Sequence, residues 1–394
     1  MSRPSSLLWL VLLLTACRGG QSPRAQVGGD TLHFQYATLL SVVRYDGYTE
    51  VKVKNPWKPG AILHQYTLVP SDSKSSQGDR YVTTSADAVR IPVPPTAEGT
   101  LVRTPLRRSM VFTTVHCAML LSLNAQESIA GVADLKYIKI PWIHEQVSRG
   151  RIADVGEGMS PVIEKIIDVH PDAILLSPFE NSGGYGHLEE IDIPLIECAE
   201  YMEPTPLARA EWLRFYGLLY GCEQRADSLF QVIADNYRSL RTFAHRQRAT
   251  KTALVDKVTG SVWYVPGGRS TIGQMIADAN GRYPWASDDH SGSVSLPFEA
   301  VLERGGEADV WFFRYSGDHD ITYQELAREH HGYDQFRAFR QHQAYGCNVE
   351  RSNFYEETPF RPDWLLSDLI RILHPDLPNL PPLRYYKPLT DSLY

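Results

Sequence analysis

The first residue whose type and setting could do chemistry is a cysteine. Leu14-Thr15-Ala16-Cys17 closes an unbroken apolar run, Leu7 to Leu14, and Arg3 gives the run a positive start. The run has the length of a signal-peptide core and is too short to cross a bilayer. Small residues directly before a cysteine are what a lipoprotein signal peptidase needs; the Cys17 thiol then takes a diacylglyceryl group and becomes the new N-terminus. Residues 1–16 therefore read as a lipoprotein signal peptide, and 17–30, rich in Gly, Ser, Gln and Pro, as a tether. An acylated cysteine carries more than one chain, which suffices for stable anchoring. The expected location is the cell envelope, periplasmic and held to a membrane through Cys17. The alternative is an ordinary secretory signal with an incidental cysteine.

The other reactive side chains form no familiar constellation. Cys117, Cys198, Cys222 and Cys347 fit no CxxC metal site. Outside the cytoplasm they could form disulfides, or they could be buried free thiols. Asp288-Asp289-His290 and His330-His331 lack the i, i+4 helical spacing or third nearby ligand of a metal site, so no metal and no cofactor is expected. There is no G-x-S-x-G, Walker A or H-E-x-x-H, so no catalytic residue is assigned. A net charge of −7 argues against a nucleic-acid partner. The 21 Tyr and 8 Trp suit a protein that grips a large planar or apolar ligand, and they suit plain packing equally.

Two patterns of elements must position these side chains. Residues 31–69 alternate in strand fashion (Leu32, Phe34, Tyr36; Val51, Val53; Ile62, His64, Tyr66, Leu68), punctuated by Asp46-Gly47 and Pro59-Gly60. A further short strand is expected at Val89 to Val93, which makes 31–105 a β-rich extension. From about 106 the chain alternates strand and helix, the mark of α/β layering. Strands are expected at Met110–Val115, Ile129–Val132, Ala173–Leu176 and Ile193–Ile196, and helices at Pro161–Val169 and Thr205–Tyr220, the latter capped by Thr205 with Pro206 at its first position. Ala226, Leu229, Ile233, Tyr237 and Leu240 make one stripe of a long helix within 223–248. The alternation then restarts with strands at Ala253–Val255, Val262–Val265 and Val310–Phe313 and helices at Thr271–Ala279 and Trp364–Leu373. The expectation is an α/β protein of two Rossmann-like lobes, 106–222 and 249–388, joined by one long helix and preceded by an antiparallel β extension.

Five stretches in order carry a resemblance. They are Arg107–Val132 (a strand, a Leu-rich helix, then "IAGV"), Val155–Ser177 (VGEGMSPVIEKIIDVHPDAILLS), Ile193–Ala199 (IPLIECA), Ala253–Ala279 and Val294–Phe313 (VSLPFEAVLERGGEADVWFF). Over roughly residues 105–385 the chain resembles the periplasmic substrate-binding proteins of the iron-siderophore, haem and cobalamin ABC importers. It departs from them in the 31–105 segment and in Glu307-Ala308-Asp309, which stands where the second lobe usually has "PD".

The resemblance implies a non-catalytic lipoprotein that captures an iron complex or a corrinoid between two lobes and delivers it to permease and ATPase subunits. Its cleft would be made by loops at the carboxyl ends of strands. The positions this singles out for ligand contact are Trp142, placed in a loop, then Phe179, Tyr185, Tyr201, Trp263, Tyr264, Arg269, Trp285, Arg314 and Tyr315. Thr114, His116, Pro178, Glu180, Asn181, Gly183-Gly184 and Glu203 lie nearby in the sequence. Each aromatic could instead fill a core, and each arginine could pair with a structural acid; two cleft arginines would suit an anionic ligand group. Glu164 and Glu299 start equivalent helices, one per lobe, where the family's docking glutamates meet the membrane subunits. Two other classes stay open: an envelope enzyme acting on a metal chelate through His116 or Asp288–His290, and an adhesion module using the β extension.

Overall fold

The computed structural model describes residues 29–71, 80–81, 92–93, 99–180, 184–248 and 250–391. The signal peptide, Cys17 and most of the tether lie outside the described residues.

The β extension comes first. Strands β1 (Asp30–Leu32), β2 (Leu40–Tyr45), β3 (Tyr48–Lys54) and β4 (Ile62–Pro70) pair antiparallel in chain order. Asp46-Gly47 joins β2 to β3 as a two-residue turn, with Gly47 at φ 86°, where a side chain would be strained. The expected strand at Val89–Val93 is described only at Pro92–Val93 (β6), which pairs with Arg80–Tyr81 (β5). Strand β7 (Thr100–Thr104) runs parallel to β4 and closes a five-stranded sheet. Its inward residues Val42, Val51, Val53, Tyr66 and Val102 are fully buried against the first lobe.

The first lobe has a parallel sheet ordered β10-β9-β8-β13-β14: β8 Ser109–Val111, β9 Ile129–Val132, β10 Ala153–Asp154, β13 Ala173–Leu176 and β14 Leu195–Glu197. A small hairpin, β11 (Gly156–Glu157) with β12 (Ser160–Pro161), lies between β10 and β13 in the chain. Both faces are covered, so strands such as Ala173-Ile-Leu-Leu176 are apolar throughout. Ile174 and Leu176 face one core cluster while Ala173 and Leu175 face the other. The covering helices are α1 (Thr114–Ser122), α2 (Pro141–Ser148), α3 (Ile163–Val169), α4 (Pro206–Glu211) and α5 (Leu213–Tyr220). Two expectations shift here. The strand expected at 110–115 ends at Val111, and Thr113 caps α1 by accepting the His116 N–H, so Thr114 and His116 are helical. The single helix expected over 205–220 breaks at Trp212, whose indole N–H donates to the buried Glu203 carboxylate at 2.8 Å. Thr205 and Pro206 start the first half as expected.

Gly221 ends α5 at φ 64°, and a Cβ there would lie 3.0 Å from Pro105. That turn launches the linking helix α6 (Glu223–His245), which buries Ala226, Phe230, Ile233, Ala234 and Tyr237. Its amino-terminal half is fastened to the first lobe and the extension: Arg225 donates to Ser122 O, and Glu223 pairs with Arg44. Its carboxyl-terminal half is fastened to the second lobe: the Tyr237 hydroxyl donates to Asp278 at 2.7 Å, and Asn280 donates to Ala244 O at 3.2 Å.

The second lobe repeats the plan. Strands β15 (Ala253–Val255), β19 (Val310–Tyr315) and β20 (Ala344–Asn348) are parallel, with β21 (Lys387–Pro388) added antiparallel. A three-stranded antiparallel excursion, β16 (Val258–Thr259), β17 (Val262–Pro266) and β18 (Ser293–Leu296), leaves the carboxyl end of β15. Helices α7 (Thr271–Asp278), α8 (Phe298–Gly305), α9 (Tyr323–Glu329), α10 (Arg337–Arg340), α11 (Phe354–Glu357) and α12 (Pro362–Leu373) complete it.

The "PD" motif has a physical role, and the departure at 307–309 preserves it. Asp172 precedes β13 and accepts the N–H groups of Arg107 and Arg108, at 2.6 and 2.8 Å, at the start of β8. Asp309 precedes β19 and accepts the Thr252 N–H at 2.8 Å at the start of β15. In each lobe one carboxylate ties the amino ends of two neighbouring strands. All four described cysteines are free thiols. Burial pushes the Cys117 thiol up to about 12, so it stays protonated and unreactive at neutral pH.

Candidate ligand-binding cleft

The carboxyl ends of the two parallel sheets face each other through loops, and the lobes touch on both sides of them. On one side the Thr114 hydroxyl donates to Glu356 at 3.1 Å, and Lys139 pairs with Glu350 at 2.8 Å while also donating to Val349 O. On the other, Gln274 Nε2 donates to Pro204 O at 2.5 Å and to Arg269 O at 2.8 Å. Behind the first seam a pocket of about 350 Å³ is walled by Met119 and Leu121 of α1, Leu229 of α6, and Phe360 and Trp364 of the second lobe.

The structure separates the expected ligand residues into three groups. Phe179, Tyr264 and Arg269 are exposed and available. Phe179 follows β13 at its carboxyl end and is 43% exposed; Tyr264 lies on the excursion from β15 and is 45% exposed. The Arg269 guanidinium has no partner among the described residues, and its backbone sits at the Gln274–Pro204 seam.

A second group is half-buried and holds loops in place. The Tyr201 hydroxyl donates to Pro178 O, joining two cleft loops. Tyr185 donates to Glu197 at 2.7 Å, and burial raises its phenol above the ordinary range. The Tyr315 hydroxyl accepts the Ile321 N–H at 2.9 Å and so fixes the loop after β19. Trp142 is on the first turn of α2 rather than in a loop, packed against the core.

The third group corrects the expectation. Trp263 is fully buried, its indole N–H bonded to Val255 O at 2.9 Å and its ring among Trp311, Tyr333 and Phe336. Trp285 is 3% exposed and packs on Tyr283 beneath Arg304. Neither ring can reach a ligand. Arg314 is committed to Asp256 through a two-pronged pair at 3.2 and 2.8 Å and lies over Phe354. Burial opposes its charge, but the Asp256 carboxylate outweighs burial and raises its pKa, so its charge is already matched within the protein. Sequence reasoning missed two exposed aromatics on the segments that follow carboxyl ends of strands, Tyr137 (63%) after β9 and Tyr355 (46%) on α11 after β20. Tyr137 follows β9, a strand the sequence did mark, so its place was readable; Tyr355 follows β20, which the sequence pattern did not mark. Asn181 and Gly183 lie outside the described residues.

Beneath the cleft floor, His116, Cys198 and Glu200 place one donor atom each within 4.8 Å of one another, the one such group of metal-capable side chains among the described residues. The donors are already engaged. His116 Nε2 meets Glu200 at 2.9 Å, its Nδ1 meets Thr113 Oγ1 at 2.6 Å, and Glu200's second oxygen accepts the Tyr216 hydroxyl at 2.9 Å. His116 is 1% exposed, so no chelate in the cleft can reach it as a base. The group reads as a closed ion-pair network that fastens the start of α1 to the 198–202 loop. The Asp288–His290 pair, bonded at 2.9 Å, lies exposed, and His330 stacks between His331 and Phe298.

Burial alone would lower the His116 pKa; the Cys198 sulfur and the Glu200 carboxylate outweigh it and raise the pKa from 6.5 to about 10. Between those values the folded protein holds a proton that the unfolded chain has released. The stabilisation is complete below about pH 6.5 and is lost as pH rises toward 10. The melting temperature is therefore expected to fall by several degrees from pH 7 to pH 10, and His116→Gln should flatten that slope. An equal slope in the variant would refute the assignment.

Two α/β lobes with parallel sheets, joined by one long helix and facing across a loop-lined cleft, define a binding protein of the bilobal type. The model of the family described as "Periplasmic binding protein" matches residues 116–349, and the chain belongs to that family. An uncharacterized lipoprotein of Methanocaldococcus jannaschii is 26% identical over 363 residues, 87% of this chain and 82% of that protein. A second lipoprotein of that organism is 23% identical over 77% of this chain and 78% of its own length. Among solved structures, a periplasmic heme-binding protein from Pseudomonas aeruginosa superposes with a TM-score of 0.56 at 16% identity, covering 73% of this chain and all (100%) of that one. A possible iron-binding periplasmic solute-binding protein from Staphylococcus epidermidis gives 0.54 at 17%, covering 68% and 99%. These likenesses are likenesses of fold.

Proposed function

We propose that this chain is the substrate-binding lipoprotein of an ABC importer, anchored in the envelope through Cys17, and that it carries a metal chelate (an iron-siderophore complex, haem or a corrinoid) between its lobes. The observation that carries this reading is the cleft surface. Exposed aromatic rings stand on the segments that leave the carboxyl ends of strands in both lobes, Tyr137 and Phe179 on one and Tyr264 and Tyr355 on the other, and Arg269, whose guanidinium has no partner among the described residues, lies at the seam. Rings held by a rigid scaffold give a planar macrocycle or siderophore a large apolar contact at low entropic cost, and one free guanidinium suits a carboxylate or phosphate on it. The names of the relatives and neighbours, lipoproteins and iron- or heme-binding proteins, point the same way.

Docking is assigned to Glu164 and Glu299. Each is an exposed carboxylate in the first turn of a short helix that leads into a sheet strand, α3 into β13 and α8 into β19. Met159 (82% exposed), Val162 and Ile167 form an apolar fringe around Glu164, as expected of a surface that another protein covers.

The test is tryptophan-fluorescence quenching of residues 22–394 by cyanocobalamin, haemin and a panel of ferric siderophores. Buried tryptophans still report, because energy transfer to a coloured ligand needs no contact. One class should quench saturably at about micromolar concentration or below, the range of a built small-molecule site. Linear quenching by every member would refute the chelate reading.

A further inference from the structure

We infer that the N-terminal sheet is a working part of the ligand site: His64 and Tyr66 are positioning residues that hold Tyr185 through Glu197. The inference rests on the reading of Tyr185 as a cleft residue.

Strand β14 is the edge of the first lobe's sheet, so its outer N–H and C=O groups need a partner. The extension supplies one with a side chain. The Tyr66 hydroxyl accepts the Glu197 N–H at 2.8 Å and donates to Leu195 O at 3.1 Å, taking the place of a neighbouring strand. Tyr66 is fully buried, so this contact is fixed. His64, two residues earlier on β4, stacks on the Tyr66 ring at 4.5 Å with planes 15° apart.

The Glu197 side chain then links the extension to the cleft loop. One oxygen meets His64 Nδ1 at 3.0 Å, and the other accepts the Tyr185 hydroxyl at 2.7 Å. The Glu197 carboxylate can only accept, so Nδ1 carries the proton, and in the neutral ring Nε2 then accepts the Thr100 hydroxyl at 2.8 Å. Glu197 is 7% exposed, which makes its bonds costly to leave unmade. Tyr185 is also held from its own loop, its N–H donating to Glu189 at 2.8 Å. Every link from Thr100 to Tyr185 is a hydrogen bond of ordinary length, and the first two residues of that chain belong to the segment that departs from the family plan.

The experiment uses the acyl-free chain in four forms: wild type, His64→Ala, His64→Asn and Tyr185→Phe. Hydrogen exchange is followed at residues 184–190, and affinity is measured for haemin, cyanocobalamin and ferrichrome. In His64→Ala, exchange at 184–190 should quicken by about fivefold while β13 and α6 keep their wild-type protection, as expected for loss of one hydrogen bond whose histidine is partly exposed to water. The affinity for whichever probe binds should fall by a similar factor. His64→Asn should restore both, because its amide N–H replaces Nδ1; a merely structural histidine would not be rescued in this way. Unchanged exchange at 184–190 in His64→Ala would overturn the inference, and that readout decides even if none of the three probes binds the wild type. If exchange responds but Tyr185→Phe leaves affinity untouched, the reading of Tyr185 as a cleft residue falls, and the link to the ligand site falls with it.

Discussion

Reversing both proposed docking carboxylates, Glu164→Lys with Glu299→Lys, is expected to abolish uptake of the proposed chelate in cells while the purified double variant binds it as tightly as the wild type. The split follows from where the two side chains sit. Both are exposed and make no hydrogen bond or ion pair among the described residues, so neither supports the fold. Each begins a helix whose dipole favours an acid there, a contribution of about 0.3–1 kcal/mol that a lysine would forfeit. That loss is small against the stability of two packed lobes. Across an interface, a like-charge confrontation where an ion pair was built costs several kcal/mol. One reversal should weaken docking by more than roughly tenfold. The two sites lie on different lobes and share no partner, so the second should multiply the first. Uptake at wild-type rates by the double variant would eliminate these residues as the contact. Loss of ligand affinity would mean that the helices also serve the cleft.

How much of this was legible in the sequence depends on how local each signal is. The α/β alternation and the long helix were readable because their causes are local: buried parallel strands are apolar throughout, as in Ala173–Leu176, and α6 carries its stripe along 23 residues. The ends of elements were less readable. The helix expected over 205–220 breaks at Trp212, a buried residue whose indole N–H is bonded to Glu203.

The site was legible as a set of loops and not as a set of side chains. Trp263 and Tyr264 are adjacent on β17, so one must face inward and the other outward. In Val-Trp-Tyr-Val-Pro both choices bury an aromatic, and only the pairing with β18, Trp263 opposite Leu296, decides that the tryptophan goes in. Arg314 could serve the cleft or pair with a structural acid, and nothing local decided between them, because its partner Asp256 is 58 residues away in sequence. The extension is the extreme case. Its strands were readable from their alternation, but its grip on the first lobe depends on Glu197, Glu203 and Glu211, acids that sequence patterning would leave at the surface.

Those acids make the strongest stability prediction. Glu211 is 1% exposed and accepts the consecutive N–H groups of Gln35, Tyr36 and Ala37 at 2.8, 2.7 and 2.8 Å. Glu203 does the same for Thr38 and Leu39, at 2.9 Å each, and takes the Trp212 indole as well. The two carboxylates thus hold five consecutive amides of the connection between β1 and β2, which is tied to the sheet by the Leu39 carbonyl accepting the Lys54 N–H at 2.7 Å. Glu211→Ala removes the shared acceptor from three amides at once and leaves Arg214, held by Asp227 and the His33 carbonyl, beside the gap. Charge-assisted bonds of this kind contribute about 1.5–3 kcal/mol each when fully buried, but residues 35–37 are partly exposed and water will recover some of the loss. A net destabilisation on the order of 3 kcal/mol is expected, with Glu211→Gln intermediate because its carbonyl keeps one acceptor. Denaturant unfolding measures the size, and hydrogen exchange at 33–39 measures the place. If the extension is an integral layer of the first lobe, the whole curve moves to lower denaturant as one transition. A separate early transition with an unmoved main one would show that the extension unfolds alone. An unmoved curve would mean that water replaces Glu211 at no cost.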